Sequence, residues 1–285
     1  MRLLSLQFRQ RGLSLIELMV AILLSSLLLL GVLELYSNTS RSDRSGSALA
    51  DLQDDARVAM EFIKRDIRRA GYMGCADPQA GFSGMGFDYP EDAFREMTLT
   101  SLTLSYASPD ALNGATGSPA ALVLSNTNST DDEWHLLTDC QTAVPFKGDY
   151  VPASRTVRST TPADIRDFPS NTSYLHTFRE VRYSLANGQL MRAEQSSGAQ
   201  AAPDAVAANN QAIISGVTAL SFAYGLATSA GTNTWFDAAN PPPASPSAAN
   251  FVDLSQIKIT LTLQSTTDTA ISKSFTSVVQ LRNRL

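Results

Sequence analysis

The run LSLIELMVAILLSSLLLLGVL, residues 13–33, holds 21 residues and a single charge, Glu17. As a helix it would be about 30 Å long, enough to span the core of a bilayer. Arg2, Arg9 and Arg11 precede it with no acidic residue among them. Positive flanks stay on the cytoplasmic side, so the N-terminus is expected in the cytoplasm and everything after about residue 36 beyond the membrane.

Glu17 separates this run from simpler hydrophobic segments. A secretory signal has an uncharged apolar region of about 7–15 residues followed by a small-x-small cleavage site. Here the run is longer and leads into ELYSNTSRS, with no A-x-A. A plain single-span anchor accounts for the length but not for the carboxylate, which costs about 2.5–3.5 kcal/mol at membrane depth and so implies a partner. Residues 13–33 offer no other charge, so the cation must come from elsewhere. Cleavage after Gly12 would create one, the α-amino group of Leu13, and Glu17 of one subunit could then pair with that amine in a neighbour. On this reading Glu17 is an assembly contact.

RGLSLIELMVAILL (residues 11–24) resembles the class III leader of type IV prepilins and pseudopilins. The shared features are a short basic leader, Gly12 before the cut, an apolar helix and Glu at the fifth mature position. The resemblance implies cleavage between Gly12 and Leu13 by the inner-membrane prepilin peptidase, then N-methylation of Leu13. The family usually has Phe at the first mature position, where this chain has Leu13. Removing residues 1–12 leaves 19 basic residues against 27 acidic ones, a net charge of about −8 in place of −5.

Beyond the span, residues 37–47 (SNTSRSDRSGS) are polar and weakly helical, with Gly46 a soft point. Leu49, Leu52, Ala56, Met60, Ile63, Ile67 and Ala70 then recur at steps of three and four, which predicts an amphipathic helix with one apolar stripe. Asp51, Asp54, Asp55, Arg57, Lys64, Arg65 and Arg68 take the other face, acids early and bases late, as the helix dipole favours. Gly71 is a natural stop. After it the texture is β: strands are expected at 97–107, 121–125, 213–225, 257–265 and 274–284. Residues 180–194 should form a hairpin with a type I′ turn at Asn187-Gly188. Stretches rich in Ala, Gly, Ser, Pro and Asn at 195–212 and 226–250 read as long loops. The expected fold class is α+β, one long N-terminal helix packed on an antiparallel β-sheet with long loops.

DIRRAGYMGC (66–75), VRYSLANGQLMR (181–192) and FTSVVQLRNR (275–284) resemble the PilW family of type IV pilus minor pilins. The order of helix, YSL, ISGVTALSF, a Trp235 loop and IKITLTL also resembles the J-type pseudopilin of type II secretion; AGYMGC and the LRNR end tip the balance towards the pilus. The resemblance implies a pilin-like fold divided into a leader peptide at 1–12, a transmembrane and assembly helix at 13–36, an amphipathic helix at 37–71 and a periplasmic β-rich domain at 72–285. It also implies the partners: other minor pilins, the major pilin, the prepilin peptidase, the inner-membrane assembly machinery, and the inner membrane itself before assembly into the pilus. The implied role is priming and assembling the pilus near its tip, with motility and adhesion as downstream effects. An adhesin module at a filament tip, carried by the long loops, is a further alternative.

The residues point away from catalysis. There is no G-x-S-x-G, HExxH, P-loop or dinucleotide-binding glycine pattern. Asp131, Asp132, Glu133, His135 and Asp139 lack EF-hand spacing, and alternate strand residues would point to opposite faces, so no metal or cofactor is expected there. No basic cluster lies outside the first dozen residues, which argues against nucleic acid as a direct partner. Cys75 and Cys140 have no CxxC spacing. The exported topology favours a disulfide between them, closing a loop of about 65 residues and tying the end of the long helix to the sheet.

Overall fold

A computed structural model of the chain describes residues 14–75, 94, 96–113, 122–123, 133–140, 143–151, 156–159, 174–195, 210–227, 233–237 and 254–281. It has one long N-terminal apolar helix combined with antiparallel β-sheets, a pilin-like α+β architecture. The helix, α1 (Leu15–Arg69), is 55 residues long. It runs unbroken through the polar stretch at 37–47 and through Gly46, where the sequence suggested a weak point. Helix formation is cooperative, so one glycine costing about 1 kcal/mol does not interrupt a helix secured on both sides. Gly71 follows with φ 73°, the left-handed conformation that ends helices.

Contacts divide the chain into two units, Met1–Asp51 and Leu52–Leu285. In the first, the described residues form helix only. The second joins the C-terminal part of α1 to the strands. These are β1 (Glu96–Met97), β2 (Leu102–Asn113), β3 (Leu122–Val123), β4 (Glu133–Thr138), β5 (Ala143–Val151), β6 (Thr156–Ser159), β7 (Tyr174–Ala186), β8 (Gln189–Gln195), β9 (Asn210–Ser215), β10 (Val217–Ala227), β11 (Asn233–Phe236), β12 (Leu254–Gln264) and β13 (Ser272–Gln280).

Two antiparallel sheets result where one was expected. The larger has the order β1-β2-β7-β4-β5-β6-β3, with β8 on β7 and β9 on β8. β7 is its hub: β2 lies along one edge, while β4 and then β8 share the other. The smaller sheet has the order β11-β10-β12-β13. Residues 213–225, expected as one strand, are divided at Gly216 between β9 of the large sheet and β10 of the small one. Gly216 has φ 76°, and a Cβ there would lie 2.6 Å from the carbonyl oxygen of Gln264. Only glycine allows that turn and that approach.

Other strand boundaries also moved. Residues 97–107 form β1, a turn at Thr98–Ser101 and β2, and β2 continues to Asn113, past the strand end expected at 107. A bulge opposes residues 108–110 to Thr177, placing Pro109 where no regular ladder bond is required. β5 and β6 carry no clear alternation and were not anticipated. β11 lies inside the expected loop at 226–250, with Trp235 paired to Gly225. The rest of both long loops, at 196–209, 228–232 and 238–250, and residues 282–285 lie outside the described residues. The hairpin β7–β8 has the expected turn, with Asn187 and Gly188 both at positive φ (52° and 71°).

One core unites these parts. Leu52, Ala56, Met60, Ile63 and Ile67 of α1 are buried in the same cluster as Leu104 of β2, Val181 of β7, Phe222 of β10 and Ile257, Ile259 and Leu261 of β12. β12 alternates buried and half-buried residues along its length, the pattern its sequence shows. The sheets meet where Phe222 donates its backbone N–H to the carbonyl of Leu99 at 2.9 Å and the Tyr224 hydroxyl donates to the carbonyl of Thr98 at 2.7 Å.

Candidate functional site

The residues singled out for assembly lie at the start of α1. Gly12 and Leu13 fall outside the described residues. The carbonyl of Ser14 accepts the N–H groups of Glu17 and Leu18, which places Glu17 in the first helical turn. A carboxylate there is favoured by the positive end of the helix dipole. Part of the compensation for Glu17 therefore comes from its own backbone, beside any external cation. Ser25 and Ser26 give their hydroxyl protons to the carbonyls of Ala21 and Leu23, so neither brings an unsatisfied polar group into the apolar run.

The helix is long and apolar enough to cross a membrane by length and composition, and this window is not buried against the rest of the chain. Leu15 is 78% exposed, Leu28 72% and Tyr36 74%. So continuous an apolar surface is covered in the working protein by lipid or by other helices.

In the second unit, α1 is held by packing and by a buried polar joint. The expected stripe is buried at Leu52, Ala56, Met60, Ile63, Ile67 and Ala70, and Ala59 joins it. Asp66 sits on the same face and is fully buried. Its Oδ2 accepts the Tyr183 hydroxyl at 2.6 Å and Nε of Arg192 at 2.9 Å. Arg192 also donates to Glu194 at 2.5 Å, and Glu194 accepts from Arg179. The β7–β8 register sets Tyr183 directly opposite Arg192, and period two puts Glu194 on the face of Arg192. Burial and the Asp66 carboxylate together push the Tyr183 phenol up, so it stays a donor. Burial alone would raise Glu194, but the hydrogen bonds and charges of Arg192 and Arg179 hold its carboxyl below the usual range.

This joint was missed in the sequence. The signal was present: Asp66 is three residues after Ile63 and four before Ala70, on the stripe itself, and Arg192 shares a strand face with Leu190. What pairs with Asp66, however, is 126 residues away.

Past the helix, Gly71 donates its N–H to the carbonyl of Ser105 at 2.9 Å, and the carbonyl of Tyr72 accepts from Ala107 at 2.7 Å. The segment thus adds to the outer edge of β2. Cys75 and Cys140 are joined in a disulfide with Cα atoms 4.6 Å apart. Cys140 follows the end of β4, so the bond links the chain just after α1 to a central strand of the large sheet.

The acidic cluster around His135 does not gather into a site among the described residues. Asp131 and Asp132, and the side chains of Glu133 and Trp134, lie outside them. The His135 side chain is enclosed in β4 at 2% exposure, and burial pushes its imidazole down to about 4. His176 is also lowered by burial, against a hydrogen bond between Nδ1 and the carbonyl of Ser108. Between the ordinary value near 6.5 and these lower ones, the unfolded chain binds protons that the folded chain refuses. The unfolding temperature is therefore expected to fall as pH drops from about 6.5 to 4, and His135→Gln should flatten that slope in thermal melts; an unchanged slope would show that His135 does not contribute.

Residues 7–33 match the model of the prokaryotic N-terminal methylation motif. No curated protein and no solved structure matches the chain. The motif covers Arg9, Arg11, Gly12, Leu13, Glu17 and the apolar run, and with the exposed helix behind it supports a protein of type IV pilin or pseudopilin type, processed by a prepilin peptidase, anchored in a membrane and assembled with other pilins.

Proposed function

We propose that the chain is a minor pilin of PilW type that helps prime and assemble a type IV pilus, in a small complex of minor pilins near the tip. The observation that carries this reading is the methylation motif at the head of an exposed apolar helix that continues without a break into a β-rich body. The peptidase cuts between Gly12 and Leu13, Leu13 is N-methylated, and the chain waits in the inner membrane with its N-terminus cytoplasmic and its body periplasmic. Extraction into the filament replaces lipid by the helices of neighbouring pilins around residues 15–36. Glu17 then meets the Leu13 amine of a neighbour and sets the axial register of packing. The chain acts by assembling and performs no reaction of its own.

The second reading is a J-type pseudopilin of a type II secretion system, favoured by the order of hairpin, ISGVTALSF and IKITLTL segments. The same helix would then build a short periplasmic piston. Deleting the gene and scoring sheared surface pili together with secreted exoproteins separates the two. Loss of pili with secretion intact is the expected result; normal pili with exoproteins retained in the periplasm would establish the secretion reading instead. In the same assay Glu17→Ala is expected to leave peptidase cleavage intact and reduce incorporation into filaments, and normal incorporation would overturn the pairing role.

A further inference from the structure

β13 ends the small sheet, and among the described residues it pairs only with β12. Its ladder to β12 is regular over all nine residues, without a bulge. Two bonds fix its phase: Leu281 donates to the carbonyl of Ser255, and Ser265 to that of Ile271. In an antiparallel ladder the bonded residues recur at every second position. Lys273, Phe275, Ser277 and Val279 therefore bond towards β12, and the backbone N–H and C=O groups of Ser274, Thr276, Val278 and Gln280 point away from it.

Exposed edges are normally blunted by short length, proline, bulges or charge. Other edge strands here, β1, β3 and β11, are two to four residues long, and β9 is six. β13 is nine residues, has no proline and carries one charge, Lys273. Val278 beside the open edge is 51% exposed.

A groove of about 250 Å³ lies against this edge, between Phe275, Thr276 and Ser277 on β13 and Gln53, Ala56, Arg57, Met60 and Lys64 on α1. Its floor is apolar, at Ala56, Met60 and Phe275, and its helix-side rim is basic, at Arg57 and Lys64. No carboxylate lines it, and among the described residues neither Arg57 nor Lys64 makes an ion pair.

We propose that β13 and this groove form a strand-accepting site for an extended segment of a partner protein with an acidic side chain at a groove-facing position. Backbone bonds to Thr276 and Val278 would supply affinity, and alternate side chains would enter the groove on the side of Phe275 and Ser277. There they meet an apolar floor and a basic rim, which selects small apolar residues flanking a Glu or Asp. Pairing of β13 with β13 of a second copy is disfavoured, because it would turn one basic rim towards the other. The proposal stands whichever filament the chain serves.

The probes are two fluorescein-labelled peptides, Thr-Val-Thr-Glu-Thr-Val-Thr and the same sequence with Lys in place of Glu, titrated by anisotropy against the detergent-solubilised full chain. The acidic peptide is expected to bind about tenfold or more tightly than the basic one. Thr276→Pro, which removes an outward N–H and no backbone bond to β12, should abolish binding. Arg57→Glu, at an exposed helical position, should reverse the preference, and it decides the matter if Thr276→Pro does not fold. Equal binding of both peptides, binding of neither, or an unchanged preference in Arg57→Glu would overturn the proposal. So would a dimer of the chain that Thr276→Pro dissolves, which would make a second copy the occupant.

Discussion

Replacing Asp66 with alanine is expected to destabilise the β-rich unit by about 3–5 kcal/mol, the usual cost of removing one partner from a buried ion pair. The magnitude follows from what remains. Arg192 is only 14% exposed at its side chain and would keep its charge with one carboxylate, Glu194, already shared with Arg179. The Tyr183 hydroxyl, in a fully buried ring, would lose its acceptor. At about 2–4 °C per kcal/mol for a unit of this size, the melting temperature should fall by roughly 10 °C. Tyr183→Phe removes one hydrogen bond and leaves the charges paired, so it should cost nearer 1 kcal/mol. Thermal melts of the detergent-solubilised chain followed by circular dichroism make the comparison. A loss below about 0.5 kcal/mol for Asp66→Ala, in the range of ordinary surface substitutions, would mean that the joint does not hold the helix.

The second large effect is expected from Cys75→Ser with Cys140→Ser. The sequence separation is 65, for which loop-closure entropy predicts about 4 kcal/mol, within the observed span of 2–5 for native disulfides. The loss acts mainly on the unfolded chain, because Gly71 and Tyr72 keep their backbone bonds to β2 without the bridge. Stability should therefore drop while the folded structure persists. Reduction of the parent by dithiothreitol should lower its melting temperature by the same amount as the double substitution. A double variant that melts with the parent would show that the bridge adds nothing to a fold already closed by the sheet.

Much of the architecture was legible because it rests on local periodicity. The step of three and four from Leu52 to Ala70 specifies a helical face whatever that face meets. Asn187-Gly188 specifies a tight turn because both residues accept positive φ. With two cysteines in the chain, only one intramolecular pairing exists. The apolar run with Glu17, and the arginines before it, are properties of consecutive residues, and the motif match reads those same residues.

What could not be read depends on residues far apart in the chain. ISGVTALSF looks like one strand, and only the approach of Gln264 to Gly216 divides it between two sheets. Trp235 sits in a stretch with the composition of a loop, yet pairing with Gly225 makes it an edge strand. Asp66 looks like one more charge on a charged helix until the β7–β8 hairpin brings Tyr183 and Arg192 to it. The sequence by itself determined the membrane-length helix, its leader motif and the β-rich character of the body, since each is set by the spacing of near neighbours. Only the tertiary structure decided that there are two sheets, that a buried ion pair joins α1 to the hairpin, and that among the described residues β13 pairs on one side only, beside a basic groove. Those features follow from which strands pair and in what register, a choice made by long-range packing.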